Sequence, residues 1–124
     1  MILHGYFRST ASYRVRLALS LKGLDYGNVS HHLRKNEQRA PEFLRLNPQG
    51  LVPALQVDGQ ILTQSLAICE YLDEVHPVPP LLPSDAIARA HVRAARRSLP
   101  AMSTRSRISR FSTACARMAC PKTP

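Results

Sequence analysis

Hydroxyl side chains cluster near the N-terminus, where Ser9, Thr10 and Ser12 stand at the beginning of a segment with helical periodicity. A hydroxyl at the start of a helix can cap the backbone N–H groups there, which is the common role of Ser and Thr. It can also donate a hydrogen bond to an anion such as a thiolate, whose negative charge the helix dipole favours. The cluster alone favours capping, so a chemical role needs further motifs.

Histidine and cysteine residues form no pattern typical of metal binding. His31 and His32 are adjacent on a predicted strand, so their side chains point to opposite faces, and no third ligand is close in sequence. We interpret this pair as a solvated strand end. The 3 cysteines form no Cys-x-x-Cys motif, and Cys69 is most simply a small buried hydrophobic residue on an apolar helix face. The sequence predicts neither a metal site nor a disulfide.

The elements that must position these residues follow from local periodicity. A buried strand over 2–6 precedes a helix that begins near Ser12 and ends at Gly23. The remaining predicted elements are a strand over 26–33, a short helix over 41–46, a hairpin of 51–57 and 60–62 around Asp58-Gly59, and a helix from Ser65 to Val75. This βαβ-ββα order predicts an α/β fold of thioredoxin-like type, with a four-stranded sheet. We expect a cis peptide bond at Val52-Pro53, where the third strand begins.

Charge is distributed unevenly along the chain, which has 17 Lys and Arg against 8 Asp and Glu and a net charge of +9. All the acidic residues lie before residue 89, where an equal number of basic residues balances them. The basic C-terminal part lacks aromatic interleaving and a helical stripe of cations, so no specific nucleic-acid partner is expected. No apolar run approaches the roughly 18 residues that span a bilayer, and no signal peptide is recognisable, so we expect no membrane partner and a cytoplasmic location.

Four motifs together resemble one known family, the zeta-class glutathione transferases, the class that contains maleylacetoacetate isomerase. They are YFRSTASYRVR at 6–16, LNPQGLVP at 46–53, QSLAI at 64–68 and LLP at 81–83. The resemblance runs from Ile2 to about Arg93. It implies a thioredoxin-like glutathione-binding domain over 1–76, a Pro-rich linker over 77–84 and the first helix of an all-helical domain over 85–97. Members of the family usually form homodimers.

The resemblance implies a glutathione site and assigns residues to it. The glutathione-binding residues are Ser9, Thr10, Ala11, Ser12, Tyr13, Arg14, Gln38, Val52, Pro53, Gln64 and Ser65. Ser9 and Thr10 take the catalytic positions of a Ser-Ser pair beside the glutathione sulfur, and Ala11 stands where some members carry cysteine. Val52 offers backbone hydrogen bonds to an extended peptide, and the helix that begins at Gln64 and Ser65 suits the γ-glutamyl carboxylate.

The implied reaction is the glutathione-dependent cis–trans isomerisation of maleylacetoacetate to fumarylacetoacetate in tyrosine and phenylalanine catabolism, with glutathione transferase activity as a further possibility. Arg8 and Arg14 are candidate partners for the carboxylates of this small dianionic substrate, and solvated surface charges are the equally simple interpretation. The alternative function is a noncatalytic glutathione- or protein-binding module of thioredoxin-like fold. Binding without turnover would distinguish it.

The resemblance stops after Arg93, and the segment 98–124 shows no sustained period. A shifted reading of the codons from Ser98 to Ser109 can spell Ile-Ala-Cys-Asp-Val-His-Pro-Leu-Gln-Asn-Leu, which resembles the start of the family's helical domain. We therefore expect an out-of-frame tail over 98–124, with most of the family's dimer interface missing, poor glutathione binding and slow turnover. Without the helical domain, an uncovered apolar face is expected at Ile61, Leu66, Leu72 and Val75.

The frame hypothesis is tested by the genomic DNA around codons 94–97. We expect a one- or two-base insertion or deletion whose correction restores a long helical domain. A DNA sequence in which no such correction extends the resemblance would contradict the hypothesis.

Overall fold

The computed structural model describes residues 1–98, and side chains are described as far as Ala95. The predicted out-of-frame tail therefore lies outside the described residues, apart from its first position. The chain divides into two units, Met1–Arg89 and Ala90–Pro124, and only the helical start of the second is described. Within the described part, no helix is long and apolar enough to cross a membrane.

The first unit is an α/β fold built on a four-stranded sheet, as the sequence predicts. Its elements are β1 (Ile2–Gly5), α1 (Thr10–Leu21), β2 (Gly27–Ser30), two short 3-10 turns (Leu33–Lys35 and Glu37–Arg39), α2 (Pro41–Leu46), β3 (Ala54–Val57), β4 (Gln60–Thr63) and α3 (Ser65–Val75). The strand order is β2-β1-β3-β4, with β1 parallel to β2 and β3 antiparallel to both of its neighbours. A further helix, α4 (Ala86–Ser98), begins after the linker.

Two local predictions about backbone conformation are confirmed. Val52-Pro53 is cis, and Val78-Pro79 in the linker is cis as well. Asp58 and Gly59 join β3 to β4 with φ of 47° and 76°. Positive φ at both central residues is the geometry of a tight hairpin turn, which Asp-Gly favours.

The predicted strand over 26–33 is shorter in the structure, where β2 ends at Ser30. The Glu37 carboxylate accepts a hydrogen bond from the His32 N–H at 2.6 Å, which turns the chain into the first 3-10 segment. A local side-chain bond therefore replaces the sheet ladder at this point.

The core lies between one face of the sheet and the helices α1 and α3. Its fully buried side chains are Leu3 of β1, Leu55 of β3, Val15 and Leu19 of α1, and Ile68 and Leu72 of α3. Cys69 is partly buried against this cluster, close to the predicted environment. The burial of Leu3 and Leu55, which are paired across β1 and β3, fixes the register of the two strands.

The prediction of an uncovered apolar face on α3 is wrong in its location. Leu72 is fully buried, Leu66 is partly buried, and only Val75, at 47% exposure, fits the expectation well. The reason is that Ile68 and Leu72, which lie one helical turn apart, face the sheet. The apolar face of α3 is therefore the buried face. Large apolar side chains are instead exposed at four-residue steps along α1, at Tyr13, Leu17 and Leu21.

A buried lysine joins α1, α3 and the linker, and the sequence patterns gave no indication of it. Lys22 caps the C-terminus of α1, and its side chain is completely buried. Its ammonium donates to the Asp73 carboxylate at 2.6 Å, to the His76 carbonyl at 2.5 Å and to the Pro79 carbonyl at 2.7 Å. All three donors of the ammonium are thereby satisfied, which is the condition for burying such a charge.

Asp73 completes the arrangement by holding the linker. Its two carboxylate oxygens accept from the N–H groups of Leu81 and Leu82, at 2.7 and 3.2 Å. Desolvation, the largest single effect, raises the pKa of Asp73, but the bonds from Lys22, Leu81 and Leu82 and the Lys22 charge together outweigh it and hold the pKa below the ordinary 3.8. The resulting stabilisation is complete above that ordinary value and is lost as pH falls through the folded-state pKa.

We expect replacement of Asp73 by Ala to lower the free energy of unfolding by about 3 kcal/mol, because it leaves the Lys22 ammonium buried without its counter-charge. Urea denaturation at neutral pH measures the loss. Glu74→Ala, at the exposed neighbouring position, is the matched control and should change stability by less than about 0.5 kcal/mol. Equal effects of the two substitutions would contradict the assignment.

Candidate functional site

The N-terminus of α1 carries the predicted hydroxyl cluster, and the structure gives its members different partners. Ser9 is the N-cap residue, so α1 begins at Thr10, two residues before the predicted start near Ser12. The Ser9 hydroxyl oxygen accepts from the Ser12 N–H at 3.2 Å. Capping uses a lone pair and leaves the hydroxyl proton available for donation to another group. The capping role and the chemical role of Ser9 are therefore compatible.

Ser12, in contrast, is turned into the fold. It is fully buried, and its hydroxyl oxygen accepts from the Tyr6 N–H at 3.3 Å, which joins α1 to the end of β1. Gly5 permits this approach, because a Cβ atom at Gly5 would lie 3.3 Å from the Cβ and Oγ atoms of Ser12. Ser12 therefore stabilises the turn between β1 and α1 from inside the fold. Its side chain is not presented to a ligand.

The N-termini of α1 and α3 lie side by side, which no local pattern could indicate. Arg14 of α1 donates from Nη1 to the hydroxyl of Ser65, the first residue of α3, at 2.6 Å. Ser65 is 8% exposed, so this contact lies at the edge of the core. Two of the predicted binding residues, separated by 51 positions in the chain, are thus brought into direct contact.

Gln64, the residue before α3, adopts an unusual backbone conformation, with φ 67° and ψ 107°. A non-glycine residue in such a region costs on the order of 1–3 kcal/mol, which the surrounding structure must supply. Its side-chain amide donates to the Gln49 side chain at 3.3 Å, so it contacts the loop of the second motif. The exposed Gln64 side chain therefore links two of the predicted motifs.

Asn47 organises the loop of the second motif. Its position in the motif gave no indication of this role. Asn47 is 2% exposed, donates to the Leu51 carbonyl at 2.8 Å and accepts from the Gln49 N–H at 3.2 Å. Val52, which follows this loop, is partly buried and makes no backbone hydrogen bond with the described residues. Its N–H and carbonyl groups are thus available to an extended ligand.

Gln38 approaches the same loop from the second 3-10 turn. Its carbonyl oxygen would lie 3.1 Å from a Cβ atom at Gly50, whose φ of 61° also favours glycine. The side-chain oxygen of Gln38 is buried and has no hydrogen-bond partner among the described residues. Gln38 therefore contacts this loop through its backbone and carries an unsatisfied polar acceptor on its side chain.

The remaining predicted residues lie on the exposed side of α1 and of the turn before it. Arg8 and Thr10 are exposed, Ala11 is partly buried and Tyr13 is 59% exposed. No described contact joins Arg8 to the other site residues. Arg16, which no sequence pattern singles out, fixes the turn by donating to the carbonyls of Tyr6 and Phe7 at 3.3 and 3.2 Å.

Comparison with known proteins identifies the family to which this arrangement belongs. Residues 1–74 match the family model described as glutathione S-transferase, N-terminal domain. The chain belongs to the glutathione S-transferase family. It is 57% identical over 96 residues to the maleylacetoacetate isomerase of Pseudomonas aeruginosa and 54% identical over 94 residues to that of Mus musculus. These matches cover 75% and 74% of this chain but 45% and 44% of the two relatives.

Solved structures of the zeta class share the fold. The holo structure of maleyl pyruvate isomerase, a bacterial zeta-class transferase, has a TM-score of 0.74 and 50% identity. Maleylacetoacetate isomerase from Methylobacterium extorquens AM1, with bound malonate and GSH, has a TM-score of 0.74 and 49% identity. Each match covers 76% of this chain and 44% of the other. The zeta-class resemblance of the motifs is confirmed, and the chain spans less than half the length of these relatives.

A contact between two histidines, neither of which is a predicted site residue, corrects the interpretation of His31 and His32 as a solvated strand end. His31 Nε2 is 3.0 Å from Nδ1 of His4, and the two rings are stacked at 5.3 Å. Phe43 of α2 packs on His31 at 4.3 Å, and His32 packs on Tyr6 at 5.1 Å. Tertiary packing, which strand alternation does not encode, removes both residues from full solvation. The described residues contain no group of three potential metal ligands.

Burial lowers the pKa of both members of the His4–His31 pair below the ordinary 6.5. The polar side chain of Gln56 opposes this shift in the pKa of His4. The charge of His4 lowers the pKa of His31 further, and Glu37 opposes that shift. Because the unfolded chain binds protons more readily, the stabilisation is complete above about pH 6.5 and is lost as pH falls below it.

We expect the free energy of unfolding to fall between pH 7.5 and pH 5.5, with the pair contributing to that loss because both of its members bind protons more readily in the unfolded chain. His4→Phe keeps the ring contact with Phe43 and removes one ionisable member, so it should flatten the pH dependence in urea denaturation. His91→Gln, at an exposed position of α4, is the control and should leave the wild-type slope intact. An unchanged slope in His4→Phe would contradict the role of the pair.

Proposed function

We propose that residues 1–76 form the glutathione-binding domain of a zeta-class transferase, followed by the linker 77–84, and that the activity of the protein is glutathione-dependent isomerisation of maleylacetoacetate to fumarylacetoacetate. The observation that carries the proposal is the state of Ser9. Its oxygen caps a helix of 12 residues, and its proton stays available at the positive end of that helix. A thiolate at this position receives both a hydrogen bond and the favourable end of the dipole.

The residues present fit glutathione as a bound group. The backbone N–H and carbonyl groups of Val52, which have no hydrogen-bond partner in the described part of the chain, are of the kind that an extended peptide requires. Gln38, whose backbone carbonyl lies against Gly50 of the preceding loop, also has a buried side-chain oxygen without a partner among the described residues, and this oxygen can accept a hydrogen bond from an amide or ammonium group. The α3 terminus at Gln64 and Ser65 has no acidic residue in its first turn and no side-chain cap, so its N–H groups suit a carboxylate.

In the proposed mechanism, Ser9, Val52 and the α3 terminus would hold glutathione, which would supply a thiolate nucleophile for addition to the substrate double bond and, after rotation, for elimination that restores both the double bond and the thiolate. Ser9 donates a hydrogen bond from its hydroxyl to the sulfur and so favours the ionised form. Thr10, exposed at the first helical position, offers a second hydroxyl beside it. Arg8 is exposed next to these residues and is suited to hold a substrate carboxylate.

The second candidate function is a noncatalytic glutathione-binding module. It is supported by the backbone groups of Val52 and of the α3 terminus, which suit glutathione binding whether or not turnover follows. Homodimerisation and a cytoplasmic location belong to the enzyme proposal and carry over from the family. Isothermal calorimetry with glutathione, run beside a maleylacetoacetate isomerase assay on the full chain, separates the two functions.

The test of the enzyme proposal uses Ser9→Gly, because Gly is a tolerated N-cap and the substitution costs only a few tenths of a kcal/mol in stability. We expect this variant to bind glutathione with the pKa of the bound thiol raised by about one unit and with reduced isomerase turnover. Thiolate absorbance against pH measures the pKa. Ser20→Ala, near the other end of α1, is the matched control and should behave as wild type.

Each outcome decides between the candidates. Glutathione binding with turnover that falls in Ser9→Gly supports the isomerase. Glutathione binding with no turnover in the wild-type chain identifies a binding module. A wild-type chain that does not bind glutathione overturns both.

A further inference from the structure

The segment 31–46, which joins β2 to the loop of the second motif, contains a single buried residue. This residue is Phe43 of α2, which is 1% exposed. The strand before the segment, β2, lies at the edge of the sheet and has no buried residue. A region with so little buried apolar area opens more readily than the rest of a domain. Docking of the segment therefore depends on what Phe43 packs against.

Phe43 packs against the pair formed by His4 and His31. The centroid of its ring lies 4.3 Å from that of His31 and 6.0 Å from that of His4. His4 belongs to β1 and is 7% exposed, and the backbone N–H of His31 donates to the Gly5 carbonyl at 2.8 Å. The two histidine rings therefore join α2 to the sheet.

The hydrogen bond within the pair restricts its protonation. His4 Nδ1 and His31 Nε2 are 3.0 Å apart, so one nitrogen must donate and the other must accept. The bond is lost when both nitrogens carry protons. His4 Nε2 is also buried without a hydrogen-bond partner in the described part of the chain, so a positive charge on this ring is poorly compensated. The packed arrangement suits uncharged rings.

The groups around the pair supply one opposing charge. Glu37 of the second 3-10 turn is a carboxylate that acts on His31. The neighbours from α2 and β3 are Phe43 and Gln56, which carry no charge. The adjacent titratable residue, His32, packs on the tyrosine that follows β1. Burial nevertheless holds the pKa of both rings of the pair below the ordinary 6.5. Release into water would restore the ordinary pKa, so protons favour the released state as pH falls below that value.

Phe43 also connects α2 to the loop of the proposed glutathione site. Its carbonyl accepts from the Asn47 N–H at 2.8 Å, and the Asn47 side chain donates to the Leu51 carbonyl at 2.8 Å, one residue before Val52. Gln38 belongs to the segment itself. Release of the segment therefore displaces Gln38 and removes a support of the loop that presents Val52.

We propose that the His4–His31 pair is a pH-sensitive switch that couples protonation to the docking of segment 31–46 and thereby to glutathione affinity. Uncharged rings keep Phe43 on the sheet and the Val52 loop in place. Protonated rings release the segment and weaken binding. The inference rests on the proposed function, since it takes glutathione as the ligand, and it adds regulation of that site by pH.

The test measures binding of S-methylglutathione to the full chain by isothermal calorimetry. This ligand has no ionisable thiol, and its carboxylates and amino group stay charged between pH 7.0 and pH 5.5. We expect the affinity of the wild-type chain to fall about threefold or more over this range, because uptake of protons competes with binding.

Three variants assign the effect to the pair. His4→Phe keeps an aromatic ring against Phe43, and His31→Leu keeps an apolar contact with it. Each single variant retains one ionisable ring and should show a smaller pH effect than wild type, and the double variant should bind equally at both pH values. His91→Gln, at an exposed position of α4, is the control and should keep the wild-type effect.

Amide hydrogen exchange of the wild-type chain locates the change without relying on the variants. Protection factors, corrected for the intrinsic pH dependence of exchange, should fall in α2 between pH 7.0 and pH 5.5 and fall less in α1. An equal fall in both helices overturns the inference, because it indicates unfolding of the whole domain.

The binding outcomes separate this inference from the proposed function. A wild-type chain that does not bind S-methylglutathione at pH 7.0 overturns the glutathione proposal and the inference with it. Binding that is equally strong at both pH values overturns the inference alone. A double variant that keeps the wild-type loss of affinity also overturns it, because another group then carries the pH dependence.

Discussion

The buried Lys22 ammonium constrains the rest of this domain, because it locks the C-terminal ends of α1 and α3 to each other and to the linker. The Lys22–Asp73 and Arg14–Ser65 contacts have the same separation of 51 residues in the chain. The two helices therefore run in the same direction, cross-linked at two levels about 12 Å apart at 1.5 Å per residue. Fixing the C-terminal ends of α1 and α3 therefore also fixes how their N-termini, which form the candidate site, are placed along the helix axes.

The parts of the fold that the sequence predicts correctly depend on local chemistry. Asp58-Gly59 specifies its hairpin turn, and Pro41 marks the first residue of a short helix, because each needs only its neighbours. The polar contacts that join distant elements were not predictable in this way. Lys22 has the same sequence signature as any solvated lysine at a helix end, and only the position of α3 shows that it is buried. His4 and His31, 27 residues apart, illustrate the same limit.

The candidate site shows how residues of one motif divide their tasks. The family resemblance selects Ser9, Ser12 and Arg14 together, but the structure uses Ser9 as a cap with an available proton, Ser12 as a buried joint and Arg14 as a link to α3. Hydroxyl direction and burial distinguish these tasks, and neither is encoded in residue type or spacing. The exposed apolar side chains of α1 were missed for a related reason, since periodicity identifies an apolar face without showing what covers it.

The exposed row of Tyr13, Leu17 and Leu21 favours association between copies of the chain, whereas the net charge opposes it. A net charge of +9 makes copies of the chain repel one another at low ionic strength. Salt screens that repulsion within about 8 Å at physiological strength and leaves the attraction between apolar rows undiminished. Added salt therefore favours self-association of this chain, and dilute buffers preserve its dispersion.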